Sequence, residues 1–292
     1  MKKIIIVGAA VVQMLVSYGE GNSANAKQDN QSKAIVKNVA QGQEYVGRGL
    51  AYQEQIRVGE NVGLMVARAR LEFMLALTVD PRNSEAYYQL GCLYRDSFGY
   101  KEYALDQFEM FARLSDKFDE RRRQVQEKVL PELREKVRMS AAELSGSASR
   151  DPAKCAVELG LADKCMKGKN VSGARRHYTM AYVADPLSFD AALGLARALE
   201  SGGQEEIAVM YYRTACRIKP YSVDALVATG KLALKQGMFA TAADAFSRAL
   251  AVSPKNRVAL ESLMTVLHKL NREEEAKAYC LYSAKLQDVV KP

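Results

Sequence analysis

The sequence predicts an all-α protein, built as a solenoid of helix-turn-helix repeats in two blocks. The first observation is that 48% of the 292 residues are hydrophobic and 26% are charged, which is typical of a folded globular chain. The second is that Pro186, Pro220 and Pro254 follow one another at a constant interval, 220 − 186 = 34 and 254 − 220 = 34. The third is that the same small and aromatic residues precede each of these prolines, which indicates an internal repeat.

The repeated pattern is Ala-x3-aromatic-x2-Ala-x4-Pro. Its members are Ala174, Tyr178 and Ala181, then Ala208, Tyr212 and Ala215, then Ala242, Phe246 and Ala249. This spacing puts the alanines and the ring on one stripe of a helix, where alanine permits close approach and the ring fills the gap between neighbouring helices. The proline ends the helix pair. Two residues later, Ser188, Ser222 or Asn256 provides an N-cap for the next helix, and Gly203 and Gly237 allow the tight turn within a pair.

This pattern resembles the tetratricopeptide repeat. The resemblance implies a right-handed superhelical solenoid in which the first helix of each pair lines a concave groove. It defines a C-terminal block at 154–290, whose four units are 155–188, 189–222, 223–256 and 257–290. The last unit keeps Ala276 but has Cys280 in place of the ring and Ser283 in place of the second alanine. Such divergence is expected of a repeat that faces solvent at the end of the stack.

An N-terminal block of similar repeats is predicted at 43–114. Pro81 is preceded at the same offsets by Ala69, Phe73 and Ala76, and Asn83 follows it as a cap. The interval 186 − 81 = 105 is three periods plus three residues, so the two blocks are out of phase.

Two further segments are predicted to lie outside the repeats. Residues 115–153 are predicted to form charged connecting helices and a linker, with a basic run at Arg121-Arg122-Arg123 and a kink or a new helix start at Pro131. Residues 27–42 are polar, and we expect a flexible linker there.

Residues 1–26 have the features of a signal peptide. Lys2 and Lys3 precede an apolar run from Ile4 to Val16, and Ala24-Asn25-Ala26 is the small-x-small pattern that a signal peptidase cleaves. We therefore expect an exported protein, periplasmic or secreted. Cleavage removes Lys2, Lys3 and Glu20, so the net charge changes from +8 to 8 − 2 + 1 = +7. The alternative is an uncleaved N-terminus that anchors the protein in the inner membrane. We expect contact with a membrane only in that case.

No set of residues in the sequence suggests catalysis, a metal site or a cofactor. The chain has only two histidines, and it has no phosphate-binding loop, paired zinc-ligand motif or nucleophile elbow. The five cysteines, at positions 92, 155, 165, 216 and 280, are odd in number and widely spaced, so we expect small buried residues instead of a disulfide framework. We predict no enzymatic role and no small-molecule substrate.

The resemblance places the groove-facing stripe at fixed offsets before each proline. In this chain these offsets give Leu159, Asp163, Lys167, Leu193, Arg197, Ser201, Val227, Lys231, Lys235, Glu261, Thr265 and Lys269. The stripe combines five basic residues with aliphatic ones, so we expect it to bind a protein or peptide segment that carries apolar anchors and acidic groups. An ordinary solvated helix face is the alternative. Because the stripe has no asparagine, the carboxylate clamp that some family members use for chaperone tails is not indicated.

The function predicted from these features is that of a non-catalytic scaffold or assembly factor in the cell envelope. A nucleic-acid-binding solenoid is an alternative, suggested by the net charge and the Arg121–Arg123 run, although the predicted export and the absence of interleaved aromatic residues speak against it. A recruiting subunit of an envelope enzyme complex is a further alternative.

A second candidate surface is a concentration of aromatic residues in the N-terminal block. It comprises Tyr87, Tyr88, Tyr94, Phe98, Tyr100, Tyr103, Phe108, Phe111 and Phe118. We expect these rings to fill the core of that block. An exposed platform for a peptide or a glycan is the alternative.

Overall fold

The computed structural model describes the backbone of residues 25–59, 61–145 and 150–290, and the side chains of residues 33–59, 61–143 and 150–288. These residues form helices joined by turns and contain no strand, so the all-α prediction is confirmed. The helices are α1 Asn25–Val58, α2 Val62–Val79, α3 Ser84–Asp96, α4 Lys101–Leu114, α5 Glu120–Gln124, α6 Leu130–Ser145, α7 Pro152–Lys167, α8 Val171–Ala184, α9 Phe189–Ser201, α10 Glu205–Ile218, α11 Val223–Lys235, α12 Phe239–Val252, α13 Arg257–Lys269 and α14 Glu273–Val290.

The C-terminal block is a stack of four antiparallel helix pairs, α7–α8, α9–α10, α11–α12 and α13–α14. The predicted caps begin the first helices, because the side chains of Ser188 and Asn256 accept hydrogen bonds from the backbone N–H groups three residues on, at 3.2 and 2.9 Å. Gly203 and Gly237 have φ values of +77° and +73°, the left-handed conformation that closes the turn within a pair. These caps and turns thus occupy the positions that the repeat pattern predicts.

The predicted alanine and aromatic stripe holds each pair together. The alanines at 174, 181, 208, 215, 242 and 249 are fully buried, and the three rings are at most 7% exposed. The ring of Phe246 packs against a position without a side chain. A Cβ atom on Gly230 would lie 2.6 Å from Cε1 of Phe246, closer than carbon atoms can approach. The same contact joins Gly91 to Phe108 in the N-terminal block, where the Cβ distance would be 2.9 Å.

The N-terminal block consists of two pairs, α1–α2 and α3–α4. Residues 27–42, predicted as a flexible linker, are helical in the structure because they form the first half of α1. The segment has no proline and no glycine before Gly42, so nothing interrupts the helix. The connecting region follows as α5, a π-helical turn at Val125–Val129, and α6. The π-helical turn ends at Val129, and α6 begins at Leu130, one residue before Pro131, where the sequence predicts a kink or a new start.

The two blocks pack on each other, a contact that the repeat pattern does not predict. Helix α2 lies against α14, the last described helix of the chain. Lys285 on α14 donates a hydrogen bond to Glu72 on α2 at 2.6 Å. The hydroxyl of Tyr100 donates to Asp244 on α12 at 2.8 Å, and the hydroxyl of Tyr103 donates to the carbonyl of Pro220 at 2.6 Å.

A buried arginine lies at the centre of this contact. Arg70 on α2 is 0% exposed, donates from Nη2 to the hydroxyl of Tyr279, and lies 4.8 Å from the ring centroid of Phe98. Its Nε and Nη1 atoms have no hydrogen-bond partner among the described residues, and no carboxylate within that part of the chain neutralises it. The guanidinium is thus held by aromatic groups alone.

The last helix departs from the sequence prediction. The final repeat is predicted to face solvent, but α2 covers α14, and Tyr279 and Tyr282 fill the interface with exposures of 3% and 1%. Cys280, which takes the place of the ring in the repeat pattern, is exposed because the rings on either side of it point inward. Cys155 and Cys216 are buried as predicted, whereas Cys92 and Cys165 are only half-buried, and all five cysteines are free thiols.

The predicted signal peptide, residues 1–26, lies outside the described side chains. Among the described helices, none has the length and apolar character that a membrane span needs.

Candidate functional site

The predicted groove residues lie on successive first helices, α7, α9, α11 and α13. Their spacing of four residues keeps them on one side of each helix. Most are exposed, whereas Leu159 and Val227 are half-buried and Leu193 is buried with 9% exposure. The stripe therefore has a charged outer layer over an apolar base, and Leu193 belongs to that base.

The N-terminal block leaves this stripe uncovered. Its hydrogen bonds to the C-terminal block reach α12, α14 and the turn at Pro220, all on the side of the second helices. The clefts between the blocks are lined on the C-terminal side by residues such as Ala243, Ser247 and Leu267, none of which belongs to the stripe. The groove stripe is therefore separate from the surface that contacts the N-terminal block.

Four of the five basic residues of the stripe have no carboxylate within 4.0 Å among the described residues. They are Lys167, Arg197, Lys231 and Lys269. Lys235 differs because it forms an ion pair with Glu205 at the start of α10. Of the two acidic residues, Glu261 pairs with Arg257 at 2.6 Å. Within the described part of the chain, the stripe thus presents four unpaired cations to solvent.

Two tyrosine–carboxylate hydrogen bonds flank Arg197, and the repeat pattern does not predict them. Tyr178 donates to Asp163 at 2.5 Å, and Tyr212 donates to Glu200 at 2.5 Å. Burial, and next the bond to the carboxylate, raises the pKa of each phenol, while the charge of Arg197 opposes that rise in both. The phenols are therefore neutral at pH 7, and each holds a carboxylate in place. A tyrosine instead of a phenylalanine at the ring position is the sequence signal that could have revealed these bonds.

The aromatic residues of the N-terminal block are core instead of a platform. Tyr94, Phe108 and Phe111 are at most 2% exposed, and rings contact one another throughout the set, as in the Tyr88–Phe111 pair with centroids 5.0 Å apart. Phe118 alone among the nine is largely exposed, at 85%. The core interpretation is therefore the one that the structure supports.

The basic run at 121–123 is engaged within the protein. Arg121 donates to Glu85 at 2.9 Å and lies 4.9 Å from the ring centroid of Tyr88. Arg122 donates to a backbone carbonyl, and Arg123 lies 3.7 Å from Glu120. These contacts leave no free cluster of guanidinium groups here of the kind that binds a phosphate backbone.

The two histidines form simple pairs with carboxylates. His177 lies 2.8 Å from Glu158, and His268 lies 2.7 Å from Glu273. Neither pair includes a serine or cysteine nucleophile, and the described residues contain no group of three or more metal-ligating side chains. Among the described residues, each histidine is therefore held by one carboxylate and belongs to no metal-ligating group.

A comparison with family profiles identifies the repeat. The profile described as tetratricopeptide repeat matches residues 159–223 and 227–287. The C-terminal block consists of tetratricopeptide repeats. The two matches extend over the four helix pairs, so the family predicted from the proline spacing is confirmed for this block.

Solved structures with similar folds are tetratricopeptide-repeat proteins of low sequence identity. They include the Sgt2 domain from Aspergillus fumigatus, which is 20% identical, with 43% of this chain and 84% of that chain covered and a TM-score of 0.37. YrrB, described as having an unusual peptide-binding site, is 17% identical, with coverages of 79% and 96% and a TM-score of 0.35. MamA AMB-1 is 15% identical, with coverages of 73% and 96% and a TM-score of 0.44. A search of curated protein sequences finds no match.

Proposed function

We propose that this protein is a non-catalytic scaffold or assembly factor that binds an acidic peptide segment in the groove of its tetratricopeptide repeats. The observation that carries the proposal is the row of unpaired cations at Lys167, Arg197, Lys231 and Lys269 on four successive first helices. Neighbouring helix pairs pack ~10 Å apart, so an extended acidic segment meets several of these charges at once.

The apolar base of the groove supplies the second half of the recognition. Leu159 and Val227 are half-buried and lie beside the charged residues, where an apolar side chain of the peptide can cover them. The Tyr178–Asp163 and Tyr212–Glu200 bonds fix two carboxylates on the same face. We expect these fixed carboxylates to disfavour a uniformly acidic ligand and to select one with interspersed charges.

The decisive experiment reverses two groove charges. Partners captured from cell extract with the wild-type protein are compared with those captured by the Arg197→Glu/Lys231→Glu variant. We expect affinity for the captured partner to fall by about tenfold or more, with a smaller effect at high salt. The control is Arg213→Glu/Arg217→Glu, which makes the same change in net charge at two exposed residues of the second helix α10.

The outcome separates groove binding from general attraction. An equal loss in both double variants indicates non-specific electrostatics, and an unchanged affinity in the groove variant eliminates the groove as the binding surface. Thermal unfolding on the same samples shows whether each variant is folded. Ala208→Leu serves as the unstable reference, since it overpacks a fully buried position and costs ~1–3 kcal/mol.

We also propose that the protein works outside the cytoplasm, in the cell envelope. The support is the sequence of residues 1–26, with its basic start, short apolar run and Ala24-Asn25-Ala26 site. The test is N-terminal sequencing of the protein from fractionated cells. A first residue of Lys27 in the envelope or secreted fraction is expected, and an intact Met1 in the cytosol contradicts export.

Absence of catalysis is part of the same proposal. It is supported by the lack of a catalytic or metal-binding cluster in the described residues and by the scaffold role general in this repeat family. A turnover activity of the purified protein that a single point substitution abolishes would overturn it.

A further inference from the structure

A four-residue sequence occurs twice in the C-terminal block, in two different environments. Leu-Gly-Leu-Ala stands at 159–162 in α7 and again at 193–196 in α9, with 193 − 159 = 34. In α9 the middle of this sequence is covered, because Leu195 is 2% exposed and the ring of Tyr178 from α8 lies over Gly194. In α7 the equivalent Leu161 is 38% exposed, and a Cβ atom on Gly160 would have nothing within 4 Å.

The difference comes from the way the repeats stack. The third and seventh residues of a first helix face the second helix of the preceding pair, and α8, α10 and α12 cover α9, α11 and α13 in this way. These covered positions are Ala191, Leu195, Ala225, Thr229, Ala259 and Leu263, all at most 3% exposed. Their counterparts in α7 are Val157 and Leu161, which are 64% and 38% exposed. The described helices that pack closely on α7 are α8 and α9, so its stacking face is open.

The contact between α8 and α9 shows what kind of helix fits this face. A Cβ atom on Gly194 would lie 2.6 Å from Cδ1 and 2.7 Å from Cζ of Tyr178, so the glycine makes room for an aromatic ring. Ala191 packs in the same cluster as Ala181, a small residue one turn from that ring. Gly160 offers the same space for a ring, and no described residue fills it.

The charges on the α7 face indicate which partner can use it. Lys164 occupies the position of Ala198, which is fully buried in α9, and Lys154 lies ten residues before it on the same helix. Both are exposed, and neither has a carboxylate within 4.0 Å among the described residues. Two copies of α7 packed antiparallel about Gly160 would bring Lys154 of one copy near Lys164 of the other, so like charges oppose this pairing. Carboxylates on a different helix would meet the same two lysines favourably.

We propose that the exposed face of α7 binds an amphipathic helix of another protein, in the way that α8 binds α9. The partner helix places an aromatic ring over Gly160 and apolar residues against Val157 and Leu161. It carries acidic residues at the two ends of the contact, where Lys154 and Lys164 lie. This surface is separate from the groove stripe, so one protein can hold a peptide and a helix at the same time.

The test uses a peptide derived from α8 as the probe. The peptide has the sequence of residues 171–185, with both arginines, at 175 and 176, replaced by glutamate, and it is titrated against the full chain by fluorescence anisotropy. We expect saturable binding that is weakened by about tenfold or more when the peptide tyrosine that corresponds to Tyr178 is replaced by alanine. In the full chain, Gly160→Leu and Leu161→Asp each cause a loss of similar size. The control is Val183→Asp, at an apolar residue of α8 that is 71% exposed and lies off this face.

Each other outcome overturns the proposal in a recognisable way. If Gly160→Leu leaves the affinity for the peptide unchanged, or if the peptide does not bind at all, then α7 does not bind a helix. A dimer in sedimentation experiments that Leu161→Asp dissociates shows that a second copy occupies the face. By contrast, binding only to a chain that begins at Lys27, the expected mature form, supports the proposal, because residues 1–26 then block the face only before cleavage. The groove variant Arg197→Glu/Lys231→Glu binds the probe as the wild type does, so the two sites fail or succeed independently.

Discussion

Two glycines in identical sequence contexts are expected to respond in opposite ways to the same substitution. Gly194→Ala places a methyl group 2.6–2.7 Å from two ring carbons of Tyr178, where carbon atoms normally keep about 3.5–4.0 Å. The ring is 7% exposed, and its hydroxyl is held by Asp163 at 2.5 Å, so it cannot move away freely. Gly160→Ala places the same methyl group where no atom lies within 4 Å.

The magnitudes follow from packing and helix propensity. Overpacking costs about 1–3 kcal/mol, and displacement of the ring weakens a hydrogen bond to a charged group that contributes about 1.5–3 kcal/mol. Alanine has a higher helix propensity than glycine, which stabilises the helix by about 1 kcal/mol. We therefore expect Gly194→Ala to lower the free energy of unfolding by about 2 kcal/mol. Gly160→Ala gains helix propensity without any overpacking, so we expect it to raise the free energy of unfolding by about 0.5–1 kcal/mol.

The assay is thermal unfolding followed by circular dichroism on both variants under one condition. A difference of about 3 kcal/mol between them corresponds to at least about 6 °C in Tm. Equal Tm values for the two variants would refute the reasoning, because the Tyr178 ring would then not occupy the space above Gly194. A fall in the Tm of Gly160→Ala would show that something covers α7, and would bear directly on the helix-binding proposal.

Further predictions concern the buried arginine and an ion pair. Arg70→Met is expected to keep the free energy of unfolding within about 1 kcal/mol of wild type, since loss of an uncompensated buried charge offsets the lost bond to Tyr279. Arg70→Ala is expected to cost about 2–4 kcal/mol through the cavity it leaves, and urea unfolding of both variants checks this order. Arg150 donates hydrogen bonds to the buried Asp185 at 2.7 and 3.0 Å, and these bonds hold the pKa of Asp185 below its usual range. The stability that they contribute is therefore present above about pH 4 and is lost as the pH falls through the folded-state pKa. Asp185→Asn should therefore be less stable than wild type at pH 7 and approach it in acid, and parallel pH-dependent curves for the two proteins would contradict this.

The repeats could be predicted from the sequence because their packing is local and periodic. Ala174, Tyr178 and Ala181 interact with helices next to them in the chain, so the spacing that places them on one stripe also identifies their neighbours. The caps at Ser188 and Asn256 are local in the same sense, since each depends on an N–H group three residues away. The periodic pattern and its resemblance to the tetratricopeptide repeat were together enough to predict the helix pairs of the C-terminal block.

The contact between the blocks could not be predicted for the opposite reason. Arg70 meets a tyrosine 209 residues away, and no periodic pattern relates the two positions. An arginine within a helix suggests a solvated position, whereas this one is fully buried. The groove offsets likewise could not distinguish the paired Lys235 from the unpaired Lys231, because the partner Glu205 lies on a different helix.

The position of α14 has a consequence for how the protein is made. The N-terminal pair leaves the ribosome before the helix that covers it, and at synthesis rates of about 5–20 residues per second the delay between residues 70 and 279 is about 10–40 s. During that time the interface side of α2, including Arg70 and Glu72, has no partner on α14. Premature termination within the last described helix, Glu273–Val290, should therefore destabilise α2 near the N-terminus as much as it destabilises the C-terminal repeat. Such truncated chains are expected to be recognised by proteases through α2, although every residue of that helix is present.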